Sequence, residues 1–515
     1  MSRRTYIAAL AVLALIACIR VAATHQVYAA TLDEPIHIAA GFEWYDGDYR
    51  TDMTHPPLAR IVCALPLRLA GLKSPEPANM VDRGNQLLYQ RGVEQYTETL
   101  ASARRGNLLF LVLGMVVVAL WAERHFSRGV ALMAVALYSG HPLVLAHAGL
   151  VTTDMAVAAT LPLALYALEL FLDDPTRKRT AFLGVAIGLG LLSKFTFLVY
   201  FPPCALILML LRRKTAWKQM AIALGIALLL LWAGYRFHVA RPDANTFTWA
   251  APKALQPLAA SVARLPLPAP ELFEGIAQVK LHDRLGHGGY LLGREYTNGW
   301  WPYFPVLFFY KSPLPWLVFV AWGAVLLRRR PMLLLVALAI LLVAATSTIN
   351  IGVRHILPLF APLSIAGAYG VVEAWRHARD AFSRAAVVAL LGWLFVGVAA
   401  KHPDYLPWFN EAAGATPSQI SVDSNLDWGQ DVLRLARVVR ERHIDHLHVA
   451  FFTPVLMGGH GINATGLKPR EKVSGWVAIS EHQIRFAEDT GDYDWLKSYR
   501  PYQMVGESIR LYSIP

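Results

Sequence analysis

Charge is scarce in this 515-residue chain: only 16 % of residues are Asp, Glu, Lys or Arg, while 55 % are hydrophobic. A soluble chain runs to about 25 % charged and about 45–50 % apolar, so this composition cannot cover an ordinary water-facing surface. That excludes the string of soluble domains which the length alone, at about 100–200 residues per domain, would suggest. Cysteine is scarcer still. Cys18, Cys63 and Cys204 are too few for a disulfide framework or a four-ligand zinc site. No repeat of solenoid length and no low-complexity segment is visible.

What the chain has instead is long apolar runs and a mean hydropathy of +0.38. Crossing about 30 Å of hydrocarbon takes roughly 17–25 residues, fewer where the protein lines a recess. Eleven runs qualify, at 5–24, 106–122, 130–147, 155–172, 181–193, 195–211, 220–237, 312–327, 332–349, 354–373 and 385–400. Two long hydrophilic loops, 25–105 and 238–311, interrupt them. The expected architecture is an α-helical polytopic membrane protein over 1–400, followed by a small α/β domain over 401–515.

The formal charge of +12 raises the question of a nucleic-acid or anionic partner. Its distribution answers it. Seventeen basic residues against four acids sit in alternate short loops, among them Arg3/Arg4, Arg177/Lys178/Arg179, Arg212/Arg213/Lys214/Lys218 and Arg328/Arg329/Arg330. Lys and Arg enrichment marks cytoplasmic loops, so the excess sets topology and no nucleic acid is implied. The N-terminus is then cytoplasmic, its first apolar run a retained helix rather than a cleaved signal. The two long loops and the tail are extracytoplasmic. Between Arg179 and Arg212 the crossings must be even in number, and Lys194, the only charge there, marks the turn. Thirteen residues from 181 reach only about 20 Å, so Lys194 is expected in a recess below the outer surface.

The tail alternates apolar β-branched runs at 419–422, 446–452 and 475–479 with a helical pattern at 429–442.

The isolated polar residues of interest all fall on the outer face. Asp33-Glu34, His55-Pro56-Pro57, Asp154, Lys194, Lys311 and Arg354-His355 are the candidates. Bland readings exist for most. Asp33 and Asp154 each precede an apolar helix and fit an N-cap, His55-Pro56-Pro57 fits a rigid turn before an amphipathic 58–70 segment, and Arg354/His355 fit interfacial snorkelling. Lys194 is hardest to dismiss, because an ionisable group at membrane depth is costly and its stem cannot easily reach water from a recess. Trp300, Trp301, Tyr303 and Phe304 suit an interfacial aromatic belt better than a sugar platform. Asp427, Trp428 and Gln430 either cap the helix at 429–442 or close over the site.

Carboxylates and cations together at the outer membrane surface suit a substrate with phosphate at headgroup level and a tail in lipid. One carboxylate can deprotonate an attacking hydroxyl while cations stabilise a departing phosphate. A transporter or flippase for a lipid-linked sugar is the alternative. Transporters usually show internal repeats and polar residues near the midplane, whereas here the polar residues gather at one face, which favours an enzyme.

The pattern Asp33-Glu34, His55-Pro56-Pro57-Leu58, Thr153-Asp154-Met155 and Leu192-Ser193-Lys194 resembles the polyprenol-phosphate-dependent glycosyltransferases of the C-type membrane fold, which include protein O-mannosyltransferases and the aminoarabinose transferase of lipid A. A second stretch, Asp404-Tyr405-Leu406, Phe409-Asn410-Glu411 and Asp423-Ser424-Asn425-Leu426-Asp427-Trp428-Gly429-Gln430-Asp431, is similar to the extracytoplasmic end of bacterial members of unassigned substrate. The resemblance implies an enzyme of the bacterial inner membrane that moves a sugar, with inversion, from a polyprenyl-phosphate donor to an acceptor hydroxyl of a protein, lipid or glycan. It implies Asp33 as catalytic base, Glu34 as its acidic neighbour and Asp154 as an orienting group. Asp33 and Asp154 are also where a divalent metal ion would be held, if one is used. Lys194 and, more weakly, Arg354 match cations near the lipid phosphate, with His55 and His355 beside the substrate. The 238–311 loop is too short for the β-trefoil of eukaryotic mannosyltransferases.

Overall fold

The computed structural model describes residues 1–49, 51–212 and 216–515; Arg213 and Lys214 of one basic cluster lie outside the described residues. Helices occupy all eleven predicted spans. Six are long and apolar enough to cross a membrane, and two more candidates are bent pairs: Arg128–Ser139 with Pro142–Ala148, turned by 64°, and Tyr303–Tyr310 with Leu314–Leu327, turned by 113°. Each bend falls at a proline, Pro142 or Pro313, which supplies no N–H to continue the ladder. Thr196–Arg212 and Met332–Ala345 are shorter apolar helices.

Burial sorts these helices. In Asp154–Asp173, 89 % of the apolar window is buried inside the protein, against 17 % in Arg3–Ala22, Trp217–Gly234 and Ala381–Ala400. A helix apolar all round belongs at the centre of a bundle or against lipid. Asp154 therefore begins the helix that the others surround. Its neighbours include Tyr96–His125, Arg177–Ser193 and Thr196–Arg212.

The first long loop folds back over the bundle as three helices, Glu34–Trp44, Leu58–Leu69 and Met80–Tyr89. Glu34–Trp44 crosses Leu58–Leu69 at Gly41, where a Cβ would stand 2.2 Å from the Arg60 carbonyl oxygen. Only glycine permits that approach, and it brings Arg60 and the 51–57 turn beside the start of Glu34–Trp44. The second long loop, with the helix Pro270–Leu285 and two short antiparallel strand pairs, holds no β-trefoil.

The tail forms a five-stranded mixed sheet from β1 (Leu447–Ala450), β2 (Ala464–Gly466), β3 (Gly475–Ser480), β4 (Gln503–Val505) and β5 (Ile509–Ile514), in the order β2-β1-β3-β5-β4. β1 pairs in parallel with β2 and β3, and β5 is antiparallel to both its neighbours. The helix Val432–Glu441 packs Val432, Leu435, Ala436 and Val439 into the same core as Leu447, Val449 and Leu511. The strand expected at 419–422 is not formed. Ile420 and Val422 are buried, but in a turn whose Ile420 carbonyl accepts from Leu292 N–H at 2.9 Å, so their apolarity reflects docking and not sheet pairing.

Between bundle and sheet lie three acids whose carboxyls burial pushes up: Asp423 to about 6, Asp427 to about 7 and Asp431 to about 6, with Arg354 and Arg434 pulling the first and last partly back. All three lie above the unfolded value of about 3.9. Their stabilisation is therefore complete below about pH 4 and is lost as pH rises through about 6 to 7. Amide hydrogen exchange at 423–431, corrected for intrinsic rate, is expected to be slower at about pH 5 than at about pH 8; equal protection would show that these carboxyls do not resist ionisation.

Candidate active site

Asp33 stands just before the helix Glu34–Trp44, whose Pro35 begins the first turn, but its side chain makes no cap bond. Its carboxylate instead accepts from Arg354 Nη1 at 2.9 Å and is about a quarter exposed. Asp154, in the first turn of the central helix, is fully buried and accepts from Lys194 Nζ at 2.6 Å. Arg354 Nη1 also lies 3.7 Å from Asp154 Oδ2. One guanidinium thus joins the two carboxylates, and one ammonium closes the group from the other side.

Each cation is placed by a break in a helix. Lys194 follows Arg177–Ser193 with extended backbone before Thr196–Arg212 resumes the helix, and it is 6 % exposed, as a recessed turn requires. Arg354 and His355 begin the 3-10 segment Val353–Leu359, which leads into Phe360–His377. His355 faces the ring of Phe304 at 6.2 Å and its carbonyl accepts from Tyr200 Oη.

Asp33, Lys194, Arg354, His355 and His55 all line one cavity of about 960 Å³. Its remaining walls mix apolar groups at span ends, such as Leu198, Val199 and Val343, with residues of Pro270–Leu285. A cavity with a charged wall and an apolar flank accommodates a molecule with an anionic head and a hydrocarbon tail.

Glu34 does not belong to that wall, which corrects the expectation of a catalytic neighbour. It is completely buried and accepts bidentately from Arg104 Nε at 2.8 Å and Nη2 at 2.7 Å, and also from Thr31 N–H and Val151 N–H at 2.9 Å. Consecutive residues at a helix start point about 100° apart, so an adjacent acidic pair need not share a face. Glu34 ties the 25–31 loop to the turn before Asp154, and so holds Asp33 near Asp154.

His55 shares the cavity with two residues not singled out in the sequence, His37 and Asp52. Burial disfavours the Asp52 anion, but Arg60 and His55 outweigh it and hold the carboxyl well below the usual range. Burial also keeps His37 well below, and His55 below, the ordinary imidazole value, which disfavours the charged ring in both. His37, Asp52 and His55 bring candidate ligand atoms within 4.8 Å of one another. They do not fit a divalent ion, because the Arg60 guanidinium contacts Asp52 and its Nε lies 3.2 Å from His37 Nδ1. Asp33 and Asp154 do not fit one either: Arg354 and Lys194 already compensate both.

Among the aromatics, Trp301 is 68 % exposed as an interfacial residue would be, while Tyr303 and Phe304 are buried and Phe304 lines the cavity. Asp427 and Gln430 make no cap bond to the tail helix, and Trp428 instead lies against Arg354, with Arg354 Cζ 4.2 Å from the ring centroid.

The helical bundle thus carries a charged cluster beside a cavity that suits an amphiphilic phosphate, the substrate type of lipid-phosphate-sugar transferases. Residues 96–234, which include Arg104, Asp154 and Lys194, match the family described as dolichyl-phosphate-mannose-protein mannosyltransferase, in agreement with the resemblance carried by the motifs. The fold is similar from end to end to ArnT from Cupriavidus metallidurans. With undecaprenyl phosphate bound, that structure shares 14 % identity at a TM-score of 0.53, covering 99 % of this chain and 98 % of that one. Its apo form gives 14 % and 0.51, covering 97 % of each. No curated protein matches the sequence.

Proposed function

We propose that this protein transfers a sugar, with inversion, from a polyprenyl-phosphate donor to an acceptor hydroxyl on the outer face of the bacterial inner membrane. The observation that carries the reading is Asp33, a partly exposed carboxylate on the cavity wall, held 2.9 Å from Arg354 and in one ionic group with Asp154 and Lys194. The fold shared with a protein that binds undecaprenyl phosphate supports the donor class. The N-terminus is cytoplasmic and the tail domain, 401–515, extracytoplasmic.

In this reaction Asp33 takes the acceptor proton while the acceptor oxygen attacks the anomeric carbon from the face opposite the phosphate. The bond from that carbon to the phosphate oxygen breaks, and its electron pair leaves with the polyprenyl phosphate. The phosphate goes from one negative charge to two. Lys194 and Arg354 stabilise that added charge, so no protonated acid is required. Asp154 holds both cations in place, and the rings of His37 and His55 offer hydrogen bonds to sugar or phosphate.

Lys194→Met is expected to lower kcat/KM for the donor by about tenfold to a hundredfold, the range for losing one charge-assisted hydrogen bond. An unchanged kcat/KM with a fully folded variant would remove Lys194 from the phosphate. For the reading as a whole, lipids and proteins from cells with and without the protein are compared by mass spectrometry. Loss of a hexose or pentose from one of them is the expected result, and identical glycans would overturn it.

A further inference from the structure

The loop Asp423–Asp431 reaches from the tail domain into the ionic cluster. Trp428 is 1 % exposed, and its ring covers the Arg354 guanidinium. Its carbonyl oxygen accepts from Leu32 N–H at 3.2 Å, one residue before Asp33, and the Gln430 carbonyl accepts from Ala29 N–H at 2.9 Å. The same loop holds the backbone around Arg354: Asn425 Oδ1 accepts from Val353 N–H at 2.9 Å and Ser424 Oγ donates to the Ile351 carbonyl. Lys311 Nζ anchors the loop from below, donating to the Asn425 carbonyl at 2.6 Å.

One residue therefore touches Arg354 and the backbone that leads into Asp33. Its ring meets Arg354, and its main chain meets the residue next to Asp33. Arg354 Nε is buried with no hydrogen-bond partner among the described residues, so the ring is what that guanidinium has beyond its carboxylates. An aromatic face carries the negative end of a quadrupole and attracts a cation without neutralising it. That leaves the charge available to a departing phosphate while restricting where the guanidinium can go. A third carboxylate, in the place of the ring, would bind the cation more tightly and weaken its pull on the phosphate.

We infer that Trp428 is a positioning residue for the transfer reaction, by which the tail domain fixes Arg354 and Asp33 in reacting register. The inference rests on the assignment of Asp33 and Arg354 to catalysis made above. Its test separates the two. In Trp428→Leu, modification of Arg354 by phenylglyoxal, followed by peptide mass spectrometry, is expected to quicken about twofold to thirtyfold, the span of cation–π strengths, while exposed Arg437 reacts as before. In the same variant kcat for sugar transfer is expected to fall about tenfold to a hundredfold, as misplacement of a reacting group does, with donor KM little changed. Trp428→Phe keeps an aromatic face and is expected to restore most of both. Ser424→Ala, a milder change in the same loop, is expected to quicken Arg354 modification by a smaller factor and serves if Trp428→Leu does not fold. Unchanged Arg354 reactivity in the folded leucine variant, or in Ser424→Ala if the leucine variant does not fold, overturns the inference. So does equal loss in the leucine and phenylalanine variants. If no donor supports turnover by the wild type but Arg354 reactivity shifts as described, Trp428 still positions Arg354 and the catalytic assignment is what fails.

Discussion

Asp33→Asn is expected to lower kcat by about 10²–10⁴-fold, the contribution of a positioned general base, with little change in donor KM. The geometry singles this carboxylate out by what the others are doing. Asp154 is buried against Lys194, Glu34 is sealed by Arg104, and Asp52 is held by Arg60. Asp33 and Asp52 both line the cavity beside a cation, but the Asp33 side chain is 27 % exposed and that of Asp52 only 8 %. Asparagine keeps the shape and can still accept from Arg354, so the variant removes proton uptake and little else. Release of labelled sugar from a polyprenyl-phosphate donor measures it. A folded variant turning over at close to the wild-type rate would transfer the role of base elsewhere.

The second large effect concerns stability. Arg104 and Glu34 are both fully buried, and Arg104 also donates to the carbonyls of His25, Tyr28 and Ala29. Removing one partner of a buried pair strands the other charge, at a cost of about 3–5 kcal/mol. Against a total of about 5–15 kcal/mol, Arg104→Met is therefore expected to remove a large share of the stability. Thermal unfolding in detergent reads the loss, and Glu34→Gln in the same background is expected to recover part of it by removing the stranded charge. A single variant as stable as the wild type would mean that water reaches the pair.

Much of the bundle was legible, because apolar runs and positive loops are local signals. Lys194 stood out as a charge in a recess and Asp154 as an acid at the start of an apolar helix, and the structure joins them. Glu34 was misread because adjacency in sequence was taken for adjacency in space, and Arg104, at the outer end of an apolar helix, gave no sign of being its partner. His37, Asp52 and Arg60 meet only because two loop helices cross at a glycine, a contact with no sequence signature. The acid three residues before His55 was the available hint. The tail motif was visible as a motif. Its cation was not, since nothing in Asp423–Asp431 names a residue of a distant helix start.

The two ends of the ionic cluster lie far apart in synthesis. Asp33 follows the first span, whereas the ring that lies against Arg354 arrives only after the helix Ala381–Ala400 has been made and the tail has begun to fold. A chain halted before residue 423 would own every carboxylate and cation of the site and none of the loop that registers them. On the assignment of Trp428 made above, such a chain is expected to keep the charges of the site and lose the register between them.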